Sequence, residues 1–519
     1  MDFAPAIIIR IIADVVPNKE RTQNMKKAIR FFSLLLALLM AAAVFASCGE
    51  TANENTSGTT AQASQTDDGK FHPENFIPKD NLDGHEFKII SSMHDWAICE
   101  MTGEEISGDV IQDAIYNRQL QVENHLNVKL TQSFDSSPAG KLQTTAAASG
   151  DDAYDLGLCP TYDALTLYIA GVTVDQNSVD SLHFEQPWWE TGFMSAVNLR
   201  DKKYISFGNA SLVYYSSFYI YCFNKEMIGS YNLENPYDLV TSGDWTWDKA
   251  YEMMKVVATD TDADGISTPK TENDILGLTG HINHSRNLMC TSGFTVCEKD
   301  AEGNLTFNGL SESYVDAYTK YLNYFITNPA VAISGSKSNR YNGYESAPGI
   351  KNYVNVFVQG RSLFLTTGTN EVTTIRESQN EYGIVVVPKY SKDQKTYITP
   401  VYSATLGFVV PVASGDVERT GKVLEALNGF SYKNLIDKHI SIVLHYRVAN
   451  DPTAIAMINK AYENGSIDIS MANNIGTCTS LLNNLHINED EGVGRMFNGV
   501  KAAIQTDIKN KLRDVDAKN

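Results

Sequence analysis

Asp260, Asp262 and Asp264 alternate along DTDADGISTPKTEND (260–274), and Gly265 follows at once. Alternating carboxylates on a tight glycine turn are a donor set that a hard, oxygen-seeking cation such as Ca²⁺ takes. The EF-hand loop needs a glutamate at its twelfth position, where this chain has Thr271, so Glu272 or Asp274 would have to serve instead. A solvated, Asx-stabilised acidic turn accounts for the same residues; a structural Ca²⁺ site and a bare turn both stand. A second group is His281, His284, Cys290 and Cys297. Two imidazoles and two thiols could hold zinc, but this spacing matches no common module. Outside a cell Cys290 and Cys297 could pair as a disulfide; otherwise they are small, inert core groups. Cys99, Cys159, Cys222 and Cys478 show no pairing pattern.

Signatures of catalysis are absent from the sequence. It contains no HExxH, no GxSxG, no GxxxxGK[ST] and no GxGxxG after a strand. The acidic pairs Glu104–Glu105 and Asp151–Asp152 are neighbours in sequence. Such neighbours rarely face one substrate, so a solvated surface explains them better than acid–base work. The expectation is a binding protein that is not an enzyme and needs no cofactor.

Charge narrows the partners. Lys plus Arg number 42 and Asp plus Glu 62, for a formal charge of −20. A chain this acidic repels phosphate backbones, which argues against nucleic acid. With 43% hydrophobic and 20% charged residues over 519 positions, the composition is globular and long enough for two or more domains.

MKKAIRFFSLLLALLMAAAVFASC (25–48) has a basic start at Lys26, Lys27 and Arg30, an apolar run from Phe31 to Phe45, and small residues before Cys48. That is the layout of a secretory signal, with Met25 as the expected start. It resembles the bacterial lipoprotein signal, in which the cysteine becomes the lipidated mature N-terminus. The departure is Phe45, where that signal usually has leucine three residues before the cysteine. The expected organisation is therefore a signal peptide over 1–47, then a lipid anchor at Cys48 and a flexible tether to residue 81, rich in Thr, Ser, Ala, Gln and Gly. This places the protein at the outer face of the cytoplasmic membrane.

These residues need a scaffold, and the pattern after Leu82 supplies one. HEFKIISS (85–92) reads as a strand, DVIQDAIYNRQLQVENHL (109–126) as a helix, NVKLTQSF (127–134) as a strand, 141–148 as a helix and YDLGLCP as a third strand. This alternation predicts an α/β fold with mainly parallel sheets flanked by helices, with ligand loops at the strands' carboxyl ends.

The order of elements resembles the family 1 extracellular solute-binding proteins of ABC importers. The segments that carry the likeness are KKYISFGNASLVYYSSFYIYCFNKEMI (202–228), NPYDLVTSGDWTWDKAYEMMK, FVQGRSLFLTTGTNEVTTIRE (357–377), EYGIVVVPKY and TPVYSATLGFVVPVAS. The resemblance implies two lobes with a hinge and a central cleft. Lobe one would hold 82–210 plus 361–405, and lobe two 211–360 plus 406–519. It further implies a monomer that captures a solute, most often a sugar or oligosaccharide, and delivers it to ABC permease subunits. A secreted carbohydrate-active enzyme and a ligand-sensing subunit for a membrane kinase are the rival readings.

On that scaffold the cleft loops would carry Trp96, Tyr162, Asp163, Tyr215, Asn370, Glu371 and Tyr402, with Thr161 and Tyr214 beside them. Flat rings match the C–H faces of sugars, and carboxylates and amides match their hydroxyl rims. Trp188, Trp189, Trp245 and Trp247 are expected to pack under turns, with Asp244 or Thr246 capping the helix that follows.

Overall fold

The computed structural model describes residues 72–518 apart from 149–152, 337–339, 342–343, 345–349, 376–377, 379, 445–450, 477 and 488–491. Cys48, the expected signal peptide and most of the expected tether lie outside the described residues. The last part of that tether does not behave as one. Ile77 is buried, and its carbonyl meets Nε2 of the buried His125 at 2.9 Å, so the folded region begins before Leu82.

The strands are β1 (His85–Ser91), β2 (Val128–Phe134), β3 (Leu156–Pro160), β4 (Tyr219–Asn224), β5 (Leu276–His281), β6 (Cys297–Lys299), β7 (Leu305–Phe307), β8 (Val331–Ser334), β9 (Ser362–Gly368), β10 (Tyr382–Val385), β11 (Thr399–Pro400), β12 (Leu406–Val409) and β13 (Gly465–Ser466). The helices needed below are α1 (Val110–Leu126), α2 (Pro138–Ala147), α3 (Thr161–Ile169), α4 (Trp247–Val257), α5 (Ile282–Asn287), α6 (Asn352–Val358), α7 (Val417–Ser431), α8 (Pro452–Glu463) and α9 (Cys478–Ile487).

Two mixed sheets organise the chain. The first has the order β12-β3-β1-β2, parallel except where β12 runs against β3. The second has the order β10-β4-β9-β5-β8, with β8, β5 and β9 parallel and β4 antiparallel to both β9 and β10. Fully buried runs such as LGLCP and SLFLTTG fit strands covered on both faces. Helices α1, α2 and α7 pack with the first sheet, and α4, α6 and α8 with the second.

Strand pairing corrects the expected partition. β9 and β10, which lie within 361–405, belong to the second sheet, whereas β12 joins the first. The reason is local. LFLTTG pairs with the YIYCFN strand that precedes it in space, and LGFV pairs with LGLCP. The chain passes between sheets after β3 and again between β10 and β12. The two passing segments meet at an antiparallel bridge from Phe218 to Val401, and the Tyr402 N–H donates to the Ser217 carbonyl at 2.9 Å.

Local chemistry sets the helix starts. Asp109 accepts from the Ile111 and Gln112 N–H groups, both at 2.9 Å, and Asn127 closes α1 in the left-handed conformation. Thr246 caps α4. Trp245 and Trp247 are buried, with indole N–H groups donating to the Val386 carbonyl (2.7 Å) and the Thr291 hydroxyl (2.9 Å). Trp188 and Trp189 are buried too, and both donate to Glu425 on α7, at 2.9 and 3.1 Å.

Candidate functional site

A cavity of about 640 Å³ lies where the two sheets present their strand ends. Asp95 and Trp96 reach it from beyond β1. His281 ends β5, Ser334 ends β8, and Asn370, Glu371 and Thr374 follow β9. All of these strands run parallel to a neighbour and deliver residues at their carboxyl ends, where an α/β sheet leaves side chains free of the ladder. Asn283 and His284 enter from α5, Lys351 to Tyr353 from the start of α6, Tyr219 from the start of β4, and Ser216, Ser217 and Tyr402 from the passing segments.

A row of rings crosses the site. Trp96 stacks on His94, with centroids 4.8 Å apart and planes at 21°, and meets Tyr402 edge to face at 5.6 Å. Tyr402 lies 6.4 Å from Tyr219, which lies 5.1 Å from His284. Rings thus extend from the end of the first sheet to the second. They provide flat apolar faces beside polar groups.

Glu371 anchors the second-sheet side of the cavity, next to His284. It is 5% exposed. Its carboxylate accepts from Tyr353 Oη at 2.9 and 3.1 Å, from Thr367 Oγ1 at 3.0 Å and from Lys351 Nζ. His284 Nε2 stands 3.6 Å away. The other ring nitrogen, Nδ1, lies 3.1 Å from the Thr366 carbonyl, which can only accept, so Nδ1 carries a proton. Burial pushes the Glu371 carboxyl up. The charges of His284 and Lys351, with hydrogen bonds from Lys351 and Tyr353, outweigh it and hold the group below the usual carboxylate range.

Of the residues named from sequence, Trp96, Asn370, Glu371 and Tyr402 line this cavity. Tyr215 does not. It is 1% exposed, its hydroxyl donates to Glu190 and accepts from Asn209, and Tyr214 beside it is equally buried. Both rings plug the passing segment because that segment is itself core. Tyr162 and Asp163 begin α3 and are absent from the lining. Tyr162 is 37% exposed, and burial pushes the Asp163 carboxyl up. Thr161 donates to the Ser403 carbonyl at 2.6 Å, fixing the start of that helix.

Sequence reasoning missed Tyr219, Lys351 and Tyr353, and treated His281 and His284 as metal-ligand candidates. The signal for the histidines was present, since LGLTGH reads as a strand whose carboxyl end is His281. Their rings lie 5.9 Å apart on the cavity wall, and among the described residues this quartet does not gather its ligand atoms as a metal site would.

The acidic loop rearranges the expected metal set. Asp260, Asp262 and Asp274 each place a carboxylate oxygen within 4.8 Å of the others. Asp264 instead accepts from the Ile266 N–H at 3.0 Å. Asp274 is buried, and its oxygens already accept from Thr261 N, Thr261 Oγ1 and Thr268 N. Asp260 Oδ2 accepts from Gly265 N at 2.7 Å, which leaves its Oδ1 without a hydrogen-bond partner. The triad has the donors for a hard cation, although most of its lone pairs already serve the turn.

Solved structures place this architecture. UgpB from Mycobacterium tuberculosis, in complex with glycerophosphocholine, superposes with a TM-score of 0.51 at 13% identity, over 82% of this chain and 99% of that one. A cyclo/maltodextrin-binding protein complexed with maltotetraose also gives 0.51, at 11% identity, over 82% and 97%. The fold is that of the extracellular solute-binding proteins. No family model matches the sequence. No curated protein matches it either. Among the described residues no helix is long and apolar enough to cross a membrane.

Proposed function

We propose that this chain is the solute-binding component of an ABC importer, tethered outside the cytoplasmic membrane through lipidated Cys48, and that it captures a carbohydrate between its two halves for delivery to permease subunits. The observation that carries the reading is the cavity itself. The Trp96–Tyr402–Tyr219 row and the polar residues Asn283, Asn352, Asn370 and Ser334 together line a space of about 640 Å³. Rings to cover C–H faces and amides to meet hydroxyls are what a neutral polyol needs. The same fold holds maltotetraose in one solved protein and glycerophosphocholine in another, so the lining rather than the fold argues for a sugar. It acts as a monomer, requires no cofactor, and carries at most a structural Ca²⁺ at Asp260, Asp262 and Asp274.

Binding is favoured over hydrolysis by Glu371. A glycosidase needs two carboxylates committed to the scissile bond. The lining offers Asp95 and Glu371, and Glu371 is already engaged by Lys351, Tyr353 and Thr367. Incubation with oligosaccharides followed by a reducing-end assay separates the readings. No new ends are expected; steady release would establish an enzyme. Removal of the anchor by Cys48→Ala is expected to free the protein from membranes, and retention would refute lipidation at that residue.

A further inference from the structure

Trp96 stands on a turn that other elements hold. β1 ends at Ser91 and α1 begins at Val110, so the ring lies in a stretch with neither ladder nor helix to fix it. Backbone groups in such a stretch must find their partners elsewhere. Cys99, buried, closes the turn from inside. Its thiol accepts from the His94 N–H at 3.2 Å and donates to the Ala97 carbonyl at 3.6 Å, spanning Trp96 from both sides. Gln132 on β2 holds Cys99 in turn. Its amide nitrogen donates to the Cys99 carbonyl at 2.9 Å, and its amide oxygen accepts from the Met101 N–H at 2.6 Å. One side chain thus meets both backbone groups, as a neighbouring strand would. The next part of the loop is tied to α1. Arg118 donates to the Met101 carbonyl at 2.7 Å, and Gln119 accepts from the Gly103 N–H at 2.8 Å. Arg118 also donates to the Ala210 carbonyl and the Ser431 hydroxyl, both at 3.1 Å, so it braces the core at large. Both hydrogen bonds of the Gln132 amide serve this loop.

We propose that Gln132 is a positioning residue for solute binding: through Cys99 it holds the His94–Ala97 turn, so that Trp96 already stands on the cavity wall before a solute arrives. This rests on the reading of that cavity as the solute site. A ring held in its binding pose spares the complex the free energy of ordering it. A ring that reached the pose only about a tenth of the time would lower the apparent affinity about tenfold. The side chain can be changed without disturbing the strand, because Gln132 is half-buried and its backbone stays in the ladder opposite Ile89.

The test compares Gln132→Leu, which removes both hydrogen bonds, with the parent. Trp188, Trp189, Trp245 and Trp247 are buried, so acrylamide reaches Trp96 first among the five indoles. With no solute present, the variant's tryptophan emission should be quenched more steeply than the parent's. Gln132→Glu, which keeps the acceptor for Met101 and loses the donor to Cys99, should fall between them. Equal quenching in all three overturns the proposal. Affinity is then read by calorimetry with the tightest-binding member of a mono- and oligosaccharide panel. Kd should rise about tenfold in Gln132→Leu. On a Trp96→Ala background the same change should add nothing, because both act through one ring. An equal loss with and without Trp96 would mean that Gln132 serves the fold and not the ring, and overturns the proposal. If no saccharide binds the parent, the carbohydrate reading falls, and the quenching comparison alone decides whether Gln132 places the ring.

Discussion

Trp96 and Tyr402 meet edge to face, with ring centroids 5.6 Å apart and planes at 65°. The first ring is carried beyond β1 and the second by the later passing segment, so the contact ties the end of the first sheet to a segment that joins the two sheets. A ligand seated against either ring feels both. Trp96→Ala should therefore weaken solute binding by on the order of 1–3 kcal/mol, about ten- to a hundredfold in Kd by calorimetry. Unchanged affinity would move the ligand away from this wall.

Tyr215 gives the opposite pattern. Its hydroxyl donates to Glu190 inside the core. Tyr215→Phe should lower stability by roughly 1–3 kcal/mol in urea unfolding, because Glu190 loses a buried donor, while solute affinity stays as it was. A loss of affinity without loss of stability would return Tyr215 to the site.

Glu371 predicts acid sensitivity. Its folded pKa is lowered, so its contribution is present above the unfolded value and is lost as pH falls through the folded one. Glu371→Gln should destabilise the protein by about 1–3 kcal/mol at pH 7. The gap to the parent should close below about pH 4. A gap that persists in acid would mean that packing, not charge, is what the substitution disturbs.

Glu425 behaves with the reverse sign. Burial pushes its carboxyl up to about 7, against the hydrogen bonds from His183 N and the two indoles. A raised carboxyl contributes stability that is complete below the unfolded value, near pH 4.3, and is lost as pH rises toward 7. Tryptophan emission should report the titration, since Trp188 and Trp189 both donate to this group. A flat emission profile between pH 4.5 and 7.5, compared with Glu425→Gln, would contradict it.

Chelation addresses the acidic loop. If Asp260, Asp262 and Asp274 hold Ca²⁺, removing it should lower Tm and returning it should restore Tm, and Asp260→Asn should abolish the difference. Identical melting curves leave a turn held by its own hydrogen bonds.

Much of the first sheet was legible because its strands and helices alternate within a short stretch. Asp109 announces α1, and the apolar spacing of Ile111, Ile115, Val122 and Leu126 gives its buried face. The later strands could be seen but not assigned. Whether SLFLTTG or LGFV joins the first sheet depends on pairing across more than a hundred residues, which no local pattern encodes. The site shows the same division. Trp96, Asn370 and Glu371 follow strand ends and could be found by that rule. Tyr215 lies outside the cavity lining because an aromatic residue near a crossing serves equally well as core, and Lys351 and Tyr353 sit at the start of α6, well beyond the end of β8.

The central claim is that the cavity between the sheets binds a carbohydrate. Its most direct test is a thermal-shift titration with a panel of mono- and oligosaccharides, run on the parent and on Trp96→Ala with Tyr402→Ala combined. One saccharide should stabilise the parent by about 2.7 kcal/mol when present at a hundred times its Kd, and the double variant should need far more of it. A panel in which nothing binds, or a saccharide that stabilises both proteins equally, would contradict the account.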